Sequence, residues 1–338
     1  MKRLSILITI FFLGVMNSLA QDVQFSQFSA APLYLNPAFA GSSYEHRFSA
    51  NYRVQWPNLP KAFNSYALSY DYNMPSLNSG FGLLLVGENA GSLGLQTTSI
   101  GLVYSYKLQI TDNWVLSPGI QFSYTFRNLS GADRIQGFNQ LNFGNPDIPP
   151  TDPAFRNIQR TGFVDLGAGF LIHNKNMWLG FAAHHINRPD NSLNDSPIEQ
   201  EVKYSIHGGY RIPILSGPFR GDKKTSIAPA FLYKSQGAFD QLDLGIQLHY
   251  EPISFGIWYR GIPIQQEVND QASQDAVVFV MGLQFAKLDV GYSYDFTVSG
   301  LGANTGGAHE ISFMYRFNVR KSNRVTRKEK FVPCPSHY

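Results

Sequence analysis

The sequence predicts an all-β protein, a transmembrane antiparallel β-barrel of about 14 strands with a polar lumen. Three observations predict it: segments in which apolar and polar residues alternate, no apolar run long enough for a membrane-spanning helix, and few charged residues. In segment 288–296, for example, one parity is apolar or aromatic and the other is Asp, Gly or Ser. Because successive side chains of a strand point to opposite faces, one face suits lipid and the other suits water.

The composition favours a membrane wall over a soluble β-sheet protein. Aromatic residues make up 14% of the chain and charged residues 15%, whereas a soluble domain carries about 25% charged residues. A soluble sandwich or propeller, the alternative, would bury its apolar parity and keep more charge on its outer face.

The first residues of the chain are typical of a secretory signal. Two basic residues precede an apolar run over 4–15, and residues 18–20 fit the small-x-small cleavage pattern. We therefore expect a signal peptide over 1–20 and a mature chain that begins at Gln21. An N-terminal membrane anchor is the alternative, but the run is short for a bilayer.

The barrel domain is predicted over 44–318. Its strands are expected at 44–55, 63–72, 80–88, 96–109, 114–127, 162–172, 177–185, 202–211, 225–234, 240–250, 253–260, 276–285, 288–298 and 310–317. This even number is the one expected of a bacterial outer-membrane barrel.

The links between these strands predict an orientation. Links after even-numbered strands are short, whereas longer links follow odd-numbered strands at 128–161, 186–201, 261–275 and 299–309. Because periplasmic turns are short and outer loops long, both termini are predicted to lie in the periplasm. The long link 212–224 breaks this rule, and is either a specialised periplasmic loop or structure that the pattern misses.

The segment 21–43 is predicted to be a plug-like or docking segment ahead of the barrel. Its core, 24–41, is small, aromatic and broken by Pro32 and Pro37, which disfavour a long helix. A free periplasmic arm would be more polar, so we expect the segment to enter the lumen or dock elsewhere on the barrel. The candidate plug or partner contacts are Phe25, Phe28, Tyr34, Asn36, Pro37 and Phe39.

The C-terminal residues 319–338 are predicted to form a basic periplasmic tail. Six cations and one carboxylate give this tail a net charge of +5, which would attract an acidic protein surface. The candidate docking residues are Arg320, Lys321, Arg324, Arg327, Lys328, Lys330 and Cys334. A disordered, solvated tail is the alternative. The cations are not interleaved with aromatic residues, so no nucleic-acid partner is expected.

No catalytic residue, metal site or cofactor is expected. The chain shows no nucleophile motif. The adjacent pair His184 and His185 should point to opposite faces of a strand and so could not bind one metal ion. His207 and His249 lie on the polar parity and are expected in the lumen.

Three stretches of the chain carry a resemblance to a known family. Segment 24–41, with its Asn36-Pro37-Ala38-Phe39-Ala40-Gly41 core, resembles the opening of the PorP/SprF family, as do 51–57 and 65–71. The Pro333-Cys334-Pro335 ending is similar to the Cys-Pro ending of that family. Its members are outer-membrane proteins of the type IX secretion and gliding system of Gram-negative, Bacteroidetes-like bacteria.

The resemblance implies a non-enzymatic accessory barrel in the outer membrane. Its partners would be secreted type IX cargo or a surface adhesin, periplasmic and outer-membrane components of the machine, and the lipid bilayer. A 14-stranded transporter of hydrophobic small molecules with an N-terminal hatch is the alternative. Polar lumen positions such as Asp243 and Gln247 argue against its greasy channel. A general porin or an enzyme is the third possibility.

Overall fold

The computed structural model describes residues 22–43, 46–59, 62–91, 94–130, 160–194, 197–214, 225–261, 276–298, 305–317 and residue 334. Within these ranges the chain forms a closed barrel of fourteen long antiparallel strands, so the predicted fold class is confirmed. In chain order the strands are β1 (His46–Gln55), β2 (Phe63–Met74), β3 (Ser79–Ala90), β4 (Leu95–Tyr106), β5 (Val115–Leu129), β6 (Thr161–His173), β7 (Met177–His184), β8 (Lys203–Tyr210), β9 (Thr225–Gln236), β10 (Phe239–Tyr250), β11 (Ile253–Arg260), β12 (Ala276–Phe285), β13 (Leu288–Thr297) and β14 (Ala308–Phe317).

Two-residue strands extend two of these long strands. Leu108–Gln109 follows β4 and pairs with the start of β5, and Ile212–Pro213 follows β8 and pairs with the start of β9. The described helices are short: 3₁₀ turns at Phe28–Ala30, Pro37–Phe39 and Pro75–Leu77, and one α-helical turn, α1, at Pro32–Leu35. In the described part of the chain, no helix has the length and apolar content needed to cross a membrane.

Each long strand pairs with its neighbours along the chain, and β1 pairs with β14. The closing register runs from His46↔Phe317 to Gln55↔Ala308. Closure satisfies the backbone groups of every strand without an open edge, as a bilayer requires.

The alternation in the sequence becomes two chemically different faces. In β5, Ile120 and Phe122 are 60% and 52% exposed and point away from the barrel, whereas Ser123 and Thr125 face inwards and are buried. Two of the tryptophans, Trp178 and Trp258, also face inwards and are buried, in keeping with their place on the polar parity.

The two ends of the barrel differ in their links. We call the end that carries links 130–160, 185–202 and 261–275 the long-loop end, and the other the short-turn end. The alternation is less strict than predicted, because the links after β3 and β9 are short although they lie at the long-loop end. The β9–β10 turn has Gly237 at φ 59°, a left-handed conformation that glycine adopts without strain.

Residues 22–43, here called the lumen segment, lie inside the barrel. They contact inward-facing side chains of strands on every side, including Ser105 of β4, His207 of β8 and Glu310 of β14. The interior of the barrel is therefore a packed core, built largely from this segment.

Candidate functional site

The lumen segment runs through the barrel from one end to the other. At the long-loop end, Asp22 contacts Lys203 at the start of β8. At the short-turn end, the backbone N–H of Gly41 donates to Oδ2 of Asp71, near the end of β2, at 2.7 Å. The prediction that both termini share one side of the membrane is therefore wrong for the N-terminal segment. The strand ends at His46 and Phe317 do share the short-turn end, but Asp22 lies at the opposite end.

Asp22 is held by a cluster of polar side chains at the long-loop end. Its carboxylate accepts hydrogen bonds from Nζ of Lys203 at 2.6 Å, Nε2 of Gln200 at 3.0 Å and Nε2 of Gln236 at 3.2 Å. It also lies 2.8 Å from Nε2 of His185. We call these five residues the Asp22 cluster.

The carboxylate of Asp22 stabilises both cations of this cluster. Burial lowers the pKa of His185, but the charges of Asp22 and of Asp165, whose Oδ1 lies 3.0 Å from Nδ1, outweigh it and raise that pKa to about 9. Burial raises the pKa of Asp22, and the charges of His185 and Lys203 more than reverse this, so its pKa lies well below the usual range. At neutral pH the cluster therefore joins a carboxylate to an imidazolium and an ammonium.

A second cluster binds the backbone of the lumen segment at Ser26 and Gln27. The backbone N–H groups of these two residues donate to the carboxylate of Glu310, at 2.6 and 3.2 Å. Glu310 is fully buried. A buried carboxylate that accepts backbone N–H groups fixes the main chain rather than one side chain.

The hydroxyl of Ser26 completes this arrangement. It donates to Oδ2 of Asp295 at 2.7 Å and accepts from the guanidinium groups of Arg53 and Arg260. Both guanidinium groups also bind Oδ2 of Asp295, each at 2.8 Å. We call Ser26, Gln27, Arg53, Arg260, Asp295 and Glu310 the Ser26 cluster. Loss of one of its four charged members would leave a buried charge uncompensated, which costs about 3–5 kcal/mol.

The middle of the segment packs through aromatic and amide contacts. Phe28 lies edge-on to Trp258 with ring centroids 5.0 Å apart, and Phe39 stacks on His207 at 5.2 Å. Asn36 uses its side chain twice: its Oδ1 accepts from the N–H of Ala38, and its Nδ2 lies 3.1 Å from the carbonyl oxygen of Phe170. It thereby caps the 3₁₀ turn that begins at Pro37 and joins it to the wall.

Arg47 anchors the segment near the short-turn end. Its side chain is fully buried, with Nε donating to Asp71 at 2.7 Å and Nη2 donating to the carbonyl of Phe39 at 3.0 Å. The ammonium of Lys107 donates to the carbonyl of Gly41. Charged groups therefore hold the main chain at both ends of the lumen.

Glycines of the wall make room for the segment. A Cβ at Gly119 would lie 2.5 Å from the backbone nitrogen of Ala38, and one at Gly80 would lie 2.0 Å from the carbonyl oxygen of Ala40. A Cβ at Gly169 would meet Oδ1 of Asn36 at 2.3 Å. Since these distances are too short for any side chain, the inner surface of the wall is complementary to the segment.

The structure places all six predicted plug contacts inside the barrel. Phe25, Phe28, Asn36, Pro37 and Phe39 are buried, and Tyr34 is partly buried, edge-on to Phe25. The predicted signal peptide over 1–20 and the basic residues of the tail lie outside the described residues.

Cys334, one of the candidate docking residues, lies against the barrel core. It is fully buried, and its N–H points to the carbonyl of Ser42 at 3.5 Å, at the short-turn end. A thiol in this position is shielded by the barrel and the lumen segment, so it is not presented to a partner.

The sequence reasoning missed the polar residues that hold the segment. The polar parity of the strands carries three of these residues: Arg53, Asp295 and Glu310. Charged residues are rare in the wall, so a charge on the lumen-facing parity could have indicated their role.

The His184–His185 geometry was also predicted wrongly. Strand β7 ends at His184, and His185 has φ 59°, so both side chains are buried on the inner side. In the ranges that the structure describes, no three His, Cys, Asp or Glu residues are placed to hold a metal ion.

Comparison with solved structures finds other barrels. The toluene transporter TodX of Pseudomonas putida is 11% identical with a TM-score of 0.47, and the match covers 90% of this chain and 97% of that one. The CymD monoaromatic hydrocarbon channel is 12% identical with a TM-score of 0.49, over 86% of this chain and 93% of that one. Similarity at this level says nothing about what this chain binds. No curated protein matches the chain.

The family comparison covers most of the chain. The model of the type IX secretion system membrane protein PorP/SprF matches residues 17–315, which include the lumen segment, the first thirteen long strands and most of β14. The chain therefore belongs to the PorP/SprF family and is an outer-membrane β-barrel related to type IX secretion.

Proposed function

We propose that this protein is a closed accessory barrel of the type IX secretion system. It binds or anchors a secreted cargo protein or surface adhesin, and is coupled to periplasmic parts of the machine. The observation that carries this proposal is the filled lumen. A segment fixed by buried charges at both ends, in a wall shaped to it by glycines, is suited to a rigid support and would obstruct a solute that enters the lumen.

Planar-bilayer conductance tests the closed barrel. We expect the full-length protein to be silent, and a variant that lacks residues 24–41 to conduct ions as an open 14-stranded barrel. Conductance by the intact protein, or a well-folded deletion variant that stays silent, would contradict the proposal. Silence of the intact protein would also argue against the hydrophobic-transporter alternative, because transport through the lumen needs a path through the intact barrel.

The coupling element that we propose is the basic stretch 320–330 of the tail. Its flanks support this role: Phe317 ends β14 at the short-turn end, and Cys334 is buried beside Ser42 at the same end. The intervening cations would be held near the periplasmic mouth if that end faces the periplasm, and would attract an acidic partner.

Two tail variants test this coupling in cells. One ends at Asn318, and the other keeps Cys334 but replaces the six basic residues of 320–330 by Gln. We expect both barrels to assemble, with cargo display lost in both and the periplasmic partner no longer co-purified. Normal display by the Gln variant would show that its charges do not couple the barrel to the machine. Normal display by both would exclude the whole tail.

A further inference from the structure

A small cavity lies between the lumen segment and strands β8 and β9 at the long-loop end. Its space for water-sized groups is about 40 Å³. Because one buried water needs about 10–15 Å³ of such space, the cavity has room for about three groups of that size. Its lining is mostly apolar, and includes Phe28, Leu232 and Phe239. The cavity is therefore large enough for a small ion and too small for an organic ligand with a chain.

Two polar side chains of the wall meet at this cavity. Ser205 of β8 and Lys234 of β9 are directly opposed in the antiparallel register, and both line the cavity. Directly opposed side chains have Cβ atoms about 4.5–5.5 Å apart. A hydroxyl and an ammonium in this arrangement can therefore donate to the same small acceptor.

The hydroxyl of Ser205 has no partner in the described part of the chain. Ser205 is buried, and no hydrogen bond joins its Oγ to any described group. Since buried polar groups of folded proteins are nearly always hydrogen-bonded, this hydroxyl indicates a bound group in the cavity.

The ammonium of Lys234 is also poorly compensated. Its Nζ lies 4.0 Å from Oδ2 of Asp243, beyond hydrogen-bonding distance, and the side chain is only 16% exposed. The other oxygen of Asp243 accepts from Arg260 at 3.3 Å and from Gln241 at 2.8 Å. A largely buried cation thus lacks a direct hydrogen-bond acceptor from the nearest carboxylate.

The other charged residues of the lining are bound to each other. Asp22 and Lys203 also line the cavity, and Nζ of Lys203 donates to Oδ2 of Asp22 at 2.6 Å. The same carboxylate accepts from Gln200 and Gln236 and lies 2.8 Å from Nε2 of His185. Asp22 is therefore fully engaged by the Asp22 cluster, and is not the acceptor for Lys234 or Ser205.

We propose that Lys234 and Ser205 bind a small monovalent anion, such as chloride. The ion would accept a charge-assisted hydrogen bond from the ammonium and a second hydrogen bond from the hydroxyl. The apolar lining favours an ion that loses little hydration when it enters. A single negative charge is expected, because the carboxylate of Asp22 in the lining repels a dianion more strongly.

Bromide tests the site directly, because its anomalous scattering locates the ion in crystals of the full-length protein. We expect a bromide within hydrogen-bonding distance of Nζ of Lys234 and Oγ of Ser205. The peak should be absent from crystals of Lys234→Met. Lys287→Met is the matched control, since Lys287 is exposed in the β12–β13 turn at the other end, and it should keep the peak. A water in place of the bromide, or a peak that persists in Lys234→Met, would overturn the proposal.

Thermal unfolding in a zwitterionic detergent measures the affinity. Sodium chloride should raise the unfolding temperature saturably above its value in sodium gluconate at the same ionic strength, because gluconate is too large for the cavity. Lys234→Met should not distinguish the two salts. Ser205→Ala should need about tenfold more chloride for half of the effect, the equivalent of one hydrogen bond to a charged group.

The variants also give results that would contradict the site. An equal chloride response of the unmodified protein and Ser205→Ala, or a response that rises without saturation in every variant, would overturn the proposal. If Lys234→Met fails to assemble, Ser205→Ala and the position of the bromide still decide the question.

Discussion

At the scale of single residues, the lumen segment fits inside the barrel because the wall has glycines, which lack a side chain, where the segment packs against it. Gly119 lies on the inner face of β5, where the backbone of Ala38 and Pro37 packs directly against the wall. Main-chain atoms cannot rotate away as the end of a flexible side chain can. A single added methyl group must therefore displace either the segment or the strand.

We predict that Gly119→Ala loosens the lumen segment. A new Cβ would lie 2.5 Å from the nitrogen of Ala38 and 2.6 Å from its Cα, and overpacking of this kind costs about 1–3 kcal/mol. The expected result is a lower unfolding temperature in detergent, together with channel openings in planar bilayers.

The matched control is Gly101→Ala, on the inner face of β4. There the nearest atom is Cβ of Ser123 at 3.3 Å, and the lumen segment is not among the near neighbours. We expect this variant to stay silent and nearly as stable as the unmodified protein. Identical behaviour of the two alanine variants would refute the idea that the wall is shaped to the segment.

At the scale of elements, the strands could be predicted because their pattern is local. The period-2 alternation of β13, from Leu288 to Thr297, reports which face meets lipid whatever the rest of the chain does. The fourteen strands and their order follow from such segments and short turns. By contrast, the end of β4 at Tyr106 was missed, because Leu108–Gln109 continues the alternation after a break at Lys107.

The contacts of the lumen segment could not be predicted in the same way. Its aromatic content and prolines indicated a packed segment, but not its partners. Ser26 meets Asp295 and Gln27 meets Glu310 across more than 250 residues of chain, and closing the barrel is what brings them together. The direction of the segment was also missed. Nothing local in 22–43 indicates whether the segment begins at the long-loop end or at the short-turn end of the barrel.

The Asp22 cluster makes the start of the lumen segment sensitive to alkaline pH. Because the pKa of His185 is raised to about 9, its contribution is complete below its ordinary pKa and is lost as pH rises through about 9. The depressed pKa of Asp22 gives a contribution that is present above its ordinary value and lost only in strong acid. Of the neighbouring charged groups, Asp165 supports the imidazolium of His185, and Lys203 supports the carboxylate of Asp22.

We therefore predict that a spin label at Val23, in a Cys334→Ser background, is immobile at pH 7 and becomes mobile near pH 9. Electron paramagnetic resonance measures this directly. In a His185→Asn variant the label should be more mobile at pH 7, and the transition near pH 9 should disappear. A transition that persists without His185 would assign the effect to another group.

At the scale of the whole molecule, the passage of the lumen segment through the barrel constrains both the assembly of the barrel and the membrane topology of the chain. The barrel is closed by ten register pairs between β1 and β14, and the lumen segment contacts the wall on all sides. Because Asp22 and Ser42 lie at opposite ends, the segment has to be in place before the last strands close, or be drawn through a finished barrel. The first route needs no passage of buried charges through an apolar region, and is the one that desolvation costs favour.

The last prediction concerns the side of the membrane on which the mature chain begins. Short turns are typical of the periplasmic side and long loops of the outer side, which puts His46 and Phe317 in the periplasm and Asp22 at the outer mouth. A Gly-Ser-Cys-Gly-Ser insertion after Gln21, in a Cys334→Ser background, should then be labelled by an impermeant maleimide on intact cells. Lys175→Cys, in the exposed β6–β7 turn at the short-turn end, should be labelled only after the cells are opened. The reverse pattern would mean that the long-loop end faces the periplasm. Labelling of both sites only in opened cells would mean that the segment does not reach the outer mouth in the membrane, and that the direction seen in the fold does not survive assembly.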